Sequence, residues 1–321
     1  PGVRGGVLVA EERGTVVGDE PDPDGRAGGE HRRDQRHRRN APSADGAGSA
    51  AEPGSQRRRE YMAGMTAAGD HQRLSIIVPF HDEAAFLATI MERLRAVSLP
   101  VDREYILVDD GSSDGSSAVA EELAASSSEI RLVAHARRRG KGAAVASGLG
   151  LVQGDYVTVQ DADLEYDPRD LARLLEPLLA GDADAVYGNR FGFGRTPGQS
   201  AVHYVANRAL TAASNALNGL GLSDAHTCYR VVRADLLKAM PLRSQRFGFE
   251  IEVNARLGKL SGVRVVELPI SYVPRSRSEG KKIGWRDGLA TPIHLLRFNV
   301  FAREPRRYDG PRAAGAAPPP T

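Results

Sequence analysis

Apolar positions follow two alternating rhythms along this chain. Short β-branched and aliphatic runs recur at Leu74–Pro79, Tyr105–Val108, Ile130–Val133, Val157–Val159, Ala185–Tyr187 and Val263–Pro269. Between them, apolar residues return every three or four positions. Phe86, Leu87, Ile90, Leu94 and Val97 form one such series, and Leu171, Leu174, Leu175 and Leu178 form another. The short runs predict buried strands, and the spaced series predict helices with one buried stripe. Asp114 is placed to cap the helix through Ala120 and Leu123, and Pro168 to open the helix through Leu171. Strands alternating with helices predict an α/β fold, a largely parallel sheet with helices on both faces.

In such sheets ligands gather beyond the carboxyl ends of the strands. The polar residues of interest sort to that edge. Glu83, Asp109, Asp110, Gly140, Lys141, Asp161, Asp163 and Arg190 all follow strands or lie in the loops leaving them. This co-location predicts a nucleotide site there. Asp161 and Asp163 are two residues apart, so on an extended chain both point the same way. Convergent carboxylates suit a hard divalent cation such as Mg²⁺, shared with substrate phosphates. The alternative for this pair is a solvated acidic turn. The loop Arg137–Gly142 lacks the P-loop pattern, and no Gly-x-Gly-x-x-Gly follows the first strand, which weighs against a nicotinamide cofactor.

Composition narrows the partners. The 321 residues carry 43 basic and 41 acidic side chains, a formal net charge of +2, so no global field argues for nucleic acid. The single cysteine, Cys228, excludes an internal disulfide and fits a reducing cytosol. No apolar run reaches the roughly 18 residues of a membrane span. Residues 1–73 are rich in Gly, Pro, Ala and Arg and are expected to be a disordered tail, as are residues 303–321. Met62 and Met65 precede the first strand, and the expected translation start lies there.

Several motifs together resemble a known family. Val78-Pro79 with Glu83, the Val108–Asp114 turn, Gly140-Lys-Gly142 and Asp161-Ala-Asp-Leu164 are similar to family 2 glycosyltransferases of GT-A fold. The segments Asp224–Arg230, Phe247–Glu250 and Ser278–Ile283 narrow the resemblance to the polyprenyl (dolichyl) phosphate mannose and glucose synthases. The resemblance spans residues 74–302. It implies a Rossmann-like single domain with a mostly parallel mixed sheet. It further implies an inverting, metal-dependent transfer of a hexose from GDP-mannose or UDP-glucose to a polyprenyl phosphate.

By that resemblance, Asp110 holds the nucleobase, Pro79, His81 and Glu83 wall the nucleoside, and Gly140 and Lys141 line the sugar-nucleotide pocket. Asp161 and Asp163 form the Mg²⁺ or Mn²⁺ motif. Glu165, where many relatives carry Gln, is a possible third ligand. Asp109 is either a turn-stabilising carboxylate or a direct contact, and Glu250 either binds a sugar hydroxyl or caps a helix. His226 and Cys228 fit no zinc spacing and are expected to pack beside the acceptor site.

A phosphate monoester is already anionic at neutral pH, so the acceptor needs no general base. It needs cations, and arginine supplies permanent, bidentate charge. Arg190 is the first candidate and Arg208 the second, with Asp163 completing the expected catalytic set. Arg230, Arg275, Lys281 and Lys282 are further candidates, and a surface ion pair is the alternative for each. Leu289, Ile293, Leu296 and Val300 recur at helical spacing beside Trp285, Phe298 and Phe301. A basic amphipathic helix over residues 285–302 is thus expected, either packed on the core or lying at the inner face of the cell membrane. The rivals to this reading are a soluble phosphorylated acceptor and a non-catalytic nucleotide-sugar-binding protein.

Overall fold

The computed structural model describes residues 72–194, 200–246, 248–275 and 285–301, the segment 285–290 as backbone alone. The expectations for the two tails, Lys281 and Lys282 lie outside the described residues. Seven strands form one sheet: β1 (Arg73–Phe80), β2 (Asp102–Asp109), β3 (Ile130–Ala134), β4 (Tyr156–Val159), β5 (Ala185–Asn189), β6 (Arg230–Arg233) and β7 (Val265–Pro269). Their order is β3-β2-β1-β4-β6-β5-β7. All neighbours pair parallel except β6, which runs antiparallel to both β4 and β5. The central strands are covered on both faces, which is why they read as near-continuous apolar runs. Leu74, Ile76, Ile77, Tyr105, Ile106, Leu107 and Val108 have no exposed surface.

Helices α1 (Ala84–Ala96), α2 (Ser116–Ala125), α3 (Lys141–Leu149) and α4 (Asp170–Leu179) supply the parallel crossovers. α1 buries Leu87, Ile90, Met91 and Leu94, the stripe its sequence predicts. The cap of α2 differs from expectation. Gly115, at φ 97°, occupies the N-cap position, and Asp114 instead accepts the backbone N–H of Ser116 (3.0 Å) and of Ala84 (3.1 Å). It thereby ties the β2–α2 loop to the start of α1.

The second half begins where β5 ends. α5 (Ala201–Asn218) leads outward, and the chain returns through β6 to α6 (Ala234–Lys238), α7 (Phe249–Leu257) and β7. α8 (Trp285–Leu296) follows, continued by a π-helical turn at Arg297–Phe301. Ile251 and Ala255 of α7 join Leu295 and Phe298 in a small separate core, with Leu210 of α5 against it. Ile293 (68% exposed) and Phe301 (76%) lie on the opposite side of this packing.

Candidate active site

A cavity of about 370 Å³ opens beyond the carboxyl ends of β1, β2 and β4. Pro79, His81 and Glu83 form one wall, Asp110, Gly140 and Lys141 a second, and Asp161, Asp163 and Glu165 a third. Nine expected donor-side and metal residues therefore line one cavity. Four arginines also reach it: Arg138, Arg139, Arg246 and Arg275.

Local folding explains each wall. Asp110 leaves β2 and spends its carboxylate on the glycine loop. Oδ1 accepts the N–H of Arg139 (2.8 Å), and Oδ2 accepts that of Gly140 (2.7 Å). His135 Nδ1 lies 2.8 Å from Oδ1, and its Nε2 lies 2.9 Å from the Ser147 hydroxyl. The ring is thus held between two partners and fixes the carboxylate. Gly140 has φ 101°, and a Cβ there would sit 2.5 Å from the Gln245 carbonyl oxygen. Only glycine fits such a turn at such a distance. The opposing segment is itself fixed, because buried Glu252 accepts the N–H groups of Arg243 (2.9 Å) and Ser244 (2.7 Å). Arg246 is presented to the cavity two residues later.

Asp109 is a turn-stabilising carboxylate. It is buried, accepts the Ser112 N–H (2.8 Å) and the Ser117 hydroxyl, and is absent from the cavity walls.

Lys141 opens α3 and points its ammonium at the floor. Nζ lies 2.7 Å from Asp161 Oδ1, 3.3 Å from Glu250 Oε1 and 3.0 Å from Cys228 Sγ. Burial works against its charge, yet Asp161 in first place, with Glu250, holds its pKa well above the usual value. Glu250, in the first turn of α7, thus reaches the site as an ion-pair partner of Lys141. Burial pushes the Cys228 thiol up, so it sits there as a neutral group.

Asp163 is the counterpart. Burial, then the neighbouring charges of Asp161 and Glu165, raise its pKa to about 7. A carboxylate crowded by two others has the electrostatics that a divalent cation relieves. Asp161 and Asp163 both face the cavity, so they fit such an ion with donor phosphates completing its shell. Among the described residues no cluster of three His, Cys, Asp or Glu has metal-holding geometry, and two carboxylates are what remain. Glu165 is engaged elsewhere: Oε2 accepts the Tyr272 hydroxyl (2.6 Å) and Oε1 the Arg275 N–H (2.8 Å).

The acceptor-side arginines separate. Arg190 pairs with Asp224, Nε to Oδ2 at 2.7 Å and Nη2 to Oδ1 at 2.8 Å. Its guanidinium also lies over the Tyr272 ring, 5.2 Å from the centroid. Asp224 holds the Arg190 pKa well above its ordinary value despite burial. Arg208 of α5 is exposed and donates to the Ser223 carbonyl at 2.9 Å, the residue beside Asp224. The two arginines therefore grip one loop. Arg230 does not join them. It is buried in the middle of the sheet, bonded to Asn254 Oδ1 (3.0 Å), Tyr187 Oη (3.3 Å) and the Thr227 carbonyl, and it braces the core. Arg275 sits 3.4 Å from Glu83 and over the Phe86 ring, on the donor side. His226 is half-buried, with a hydrogen bond to the Leu210 backbone, and desolvation lowers its pKa.

Sequence reasoning did not single out Arg138, Arg139 or Arg246. The first two stand in the Arg137–Gly142 run, whose basic character was the available signal. Arg246 has no local signal, because its position depends on Glu252 nine residues away from Arg243.

Comparisons with known proteins identify the family and the fold. The glycosyl transferase family 2 model matches residues 75–240. The undecaprenyl-phosphate mannosyltransferase of Micrococcus luteus is 32% identical over 252 residues, 75% of this chain and 98% of that protein. The polyprenol monophosphomannose synthase of Mycolicibacterium smegmatis is 32% identical over 225 residues, 66% of this chain and 82% of that one. Among solved structures, glucosyl-3-phosphoglycerate synthase from Mycobacterium tuberculosis, in complex with Mn²⁺, UDP and glucosyl-3-phosphoglycerate, superimposes with a TM-score of 0.55. It is 22% identical, over 75% of this chain and 83% of that one, and indicates a shared fold.

Proposed function

The chain belongs to glycosyl transferase family 2 and is a glycosyltransferase, and from that premise we propose that it moves a hexose from a nucleotide-diphosphate sugar to a polyprenyl phosphate. The observation that carries this reading is the pairing of Asp161 and Asp163 on one cavity floor with four arginines around it. Carboxylates hold the cation side of a diphosphate, and guanidinium groups neutralise its oxygens. Mannose is the favoured sugar, because two relatives carry names of mannose transfer.

In this proposal Pro79, His81 and Glu83 wall the nucleoside. Asp110 fixes the glycine loop that frames the base. Asp161 and Asp163 hold Mg²⁺ or Mn²⁺, which when bound acts as a Lewis acid on the leaving diphosphate. Lys141 pairs with Asp161 and fixes the position of its carboxylate at the cavity. Arg190 and Arg208 define the acceptor side and bring cationic charge to the incoming phosphate. That phosphate is already a nucleophile, so no side chain is assigned as general base. Inversion follows from a single displacement at the anomeric carbon.

A lipid acceptor requires a contact with the bilayer surface. Among the described residues no helix is long and apolar enough to cross a membrane. The exposed Ile293, Leu296, Val300 and Phe301, beside Arg297, support interfacial contact at the cytoplasmic face instead. The test is a panel of labelled GDP-mannose and UDP-glucose with polyprenyl phosphate and Mn²⁺, followed by organic extraction. Label in the organic phase supports the proposal. Label moving only to an aqueous phosphorylated acceptor refutes the lipid, and no transfer with any donor refutes the reaction.

A further inference from the structure

Beyond β7 the chain does not leave the sheet. It runs on as a strap, residues 270–275, that reaches the cavity at Arg275. Its fastenings are specific. Ile270 donates to the Asn189 carbonyl (3.0 Å), and Ser271 donates to Asp170 Oδ2 (2.6 Å). The next three contacts all fall on Glu165. Val273 donates its N–H to the Glu165 carbonyl (2.9 Å), the Tyr272 hydroxyl donates to Oε2 (2.6 Å), and the Arg275 N–H donates to Oε1 (2.8 Å). Two consequences follow along the strap. Arg275 is delivered to the cavity against Glu83, and the Tyr272 ring is placed under the Arg190 guanidinium.

We propose that Glu165 is a positioning residue, whose carboxylate latches the strap through Tyr272 and the Arg275 amide and so sets Arg275 in the cavity wall and the Tyr272 ring under the Arg190 guanidinium. The chemistry of the group fits the task. A carboxylate can accept from two separate donors at once, and hydrogen bonds to a charged acceptor are stronger than neutral ones. The sequence expectation for Glu165 was a third ligand to the cation. Here each of its oxygens already meets a donor from a segment more than a hundred residues distant. The inference rests on reading the cavity as a nucleotide-sugar site only for its effect on turnover. The latch itself has a readout that needs no substrate.

The experiment compares Glu165→Gln, Tyr272→Phe and Asp163→Asn in the full chain. Tyr272→Phe removes the latch donor and leaves the Glu165 carboxylate intact, so it separates positioning from metal binding. Hydrogen exchange of the peptide covering 270–275 is read by mass spectrometry without ligand. Mn²⁺ binding is read by calorimetry in the presence of GDP. Loss of a charge-assisted hydrogen bond is expected to raise strap exchange by about tenfold in both Glu165→Gln and Tyr272→Phe. Mn²⁺ affinity is expected to stay within about threefold in those two and to collapse in Asp163→Asn. Where turnover is measured, both latch variants raise the donor KM more than they lower kcat. Unchanged strap exchange in both variants overturns the proposal. So does loss of Mn²⁺ binding in Glu165→Gln with retention in Tyr272→Phe, which makes Glu165 a ligand. Absence of turnover in the unsubstituted chain sinks the reaction assigned above and leaves the exchange result to decide the latch.

Discussion

Arg190 and Asp224 meet fork to fork, and a third contact, the Arg190 N–H to Asp224 Oδ2 at 3.2 Å, locks the same carboxylate to the backbone. Asp224 has no exposed surface and its pKa is lowered: burial opposes its charge, and Arg190 overcomes that. Asp224→Ala strands a buried cation, so it is expected to cost about 3–5 kcal/mol in urea unfolding. Asp224→Ala combined with Arg190→Met is expected to cost clearly less than the two single changes added together. Strict additivity would show that the pair is not coupled.

The cation assignment predicts opposite effects of one change in two conditions. Asp163→Asn removes a carboxylate crowded by Asp161 and Glu165. Without ligand the variant is expected to melt a few degrees higher than the parent at neutral pH, since about 1 kcal/mol moves Tm by roughly 2–4 °C in a domain of this size. With Mn²⁺ and GDP the parent should gain stability by mass action and the variant should not. Equal ligand-induced shifts in scanning fluorimetry would remove Asp163 from the cation site.

Gly140 predicts a backbone effect. At φ 101° and with Gln245 facing it, Gly140→Ala combines strain with a clash. The expected cost is on the order of 2 kcal/mol, with nucleotide binding weakened because Lys141 follows directly. Gly115 also has positive φ, at 97°, but a Cβ there meets nothing within 4 Å, so Gly115→Ala should be milder. Chemical denaturation of the two variants side by side checks the ranking.

Two groups act near neutral pH with opposite sign: Asp163, whose raised pKa of about 7 makes stability rise as pH falls, and His226. Desolvation lowers the folded pKa of His226 below the unfolded value near ~6.5. The unfolded chain therefore binds the extra proton first. The His226 contribution is full above about pH 6.5 and is lost as pH drops from there toward the folded pKa. Its neighbour Asp224, with a lowered pKa, loses its contribution only in a separate window below about pH 4. In an Asp163→Asn background, which removes the opposing slope, His226→Asn is expected to flatten the stability profile between pH 7.5 and 5.5. An unchanged slope in urea titrations across that range would assign the acid sensitivity elsewhere.

The bilayer contact predicts a graded loss. Ile293→Ser and Phe301→Ser each remove exposed apolar surface from the α8 face. Each is expected to reduce co-flotation with anionic vesicles by about tenfold, following the transfer energy of one buried side chain. The fold should be unaffected, since neither residue is in the core. Full flotation of the double variant would show that this face does not meet lipid.

Most of the donor half was legible from residues alone. Strands β1, β2, β4 and β5 announce themselves because burial on both faces demands uninterrupted aliphatic runs, the half-buried edge strands β3 and β7 show shorter apolar runs, and the carboxyl-edge rule then gathers Glu83, Asp110, Lys141, Asp161 and Asp163. β6 was not legible. Its sequence is Arg-Val-Val-Arg, short and closed by cations, and nothing local marks a strand in the middle of a sheet. That single omission also explains the misplacement of Arg230. An arginine in a loop would point at a phosphate, whereas one opposite Tyr187 in a central antiparallel pair must be satisfied inside, by Tyr187 and Asn254. The hydrogen-bond partners of Glu165 were not legible for a related reason. Tyr272 and Arg275 come from the far end of the chain, and spacing around residue 165 carries no trace of them.

The reversed direction of β6 has an evolutionary corollary. β5 ends at the cavity edge, and β6 starts there, so the excursion through α5 and the Asp224 loop departs and returns at one place. Such a segment can be lengthened, shortened or exchanged without altering the register of the strands that carry Asp110, Asp161 and Asp163. The strands that carry those carboxylates are thereby insulated from change in this one excursion.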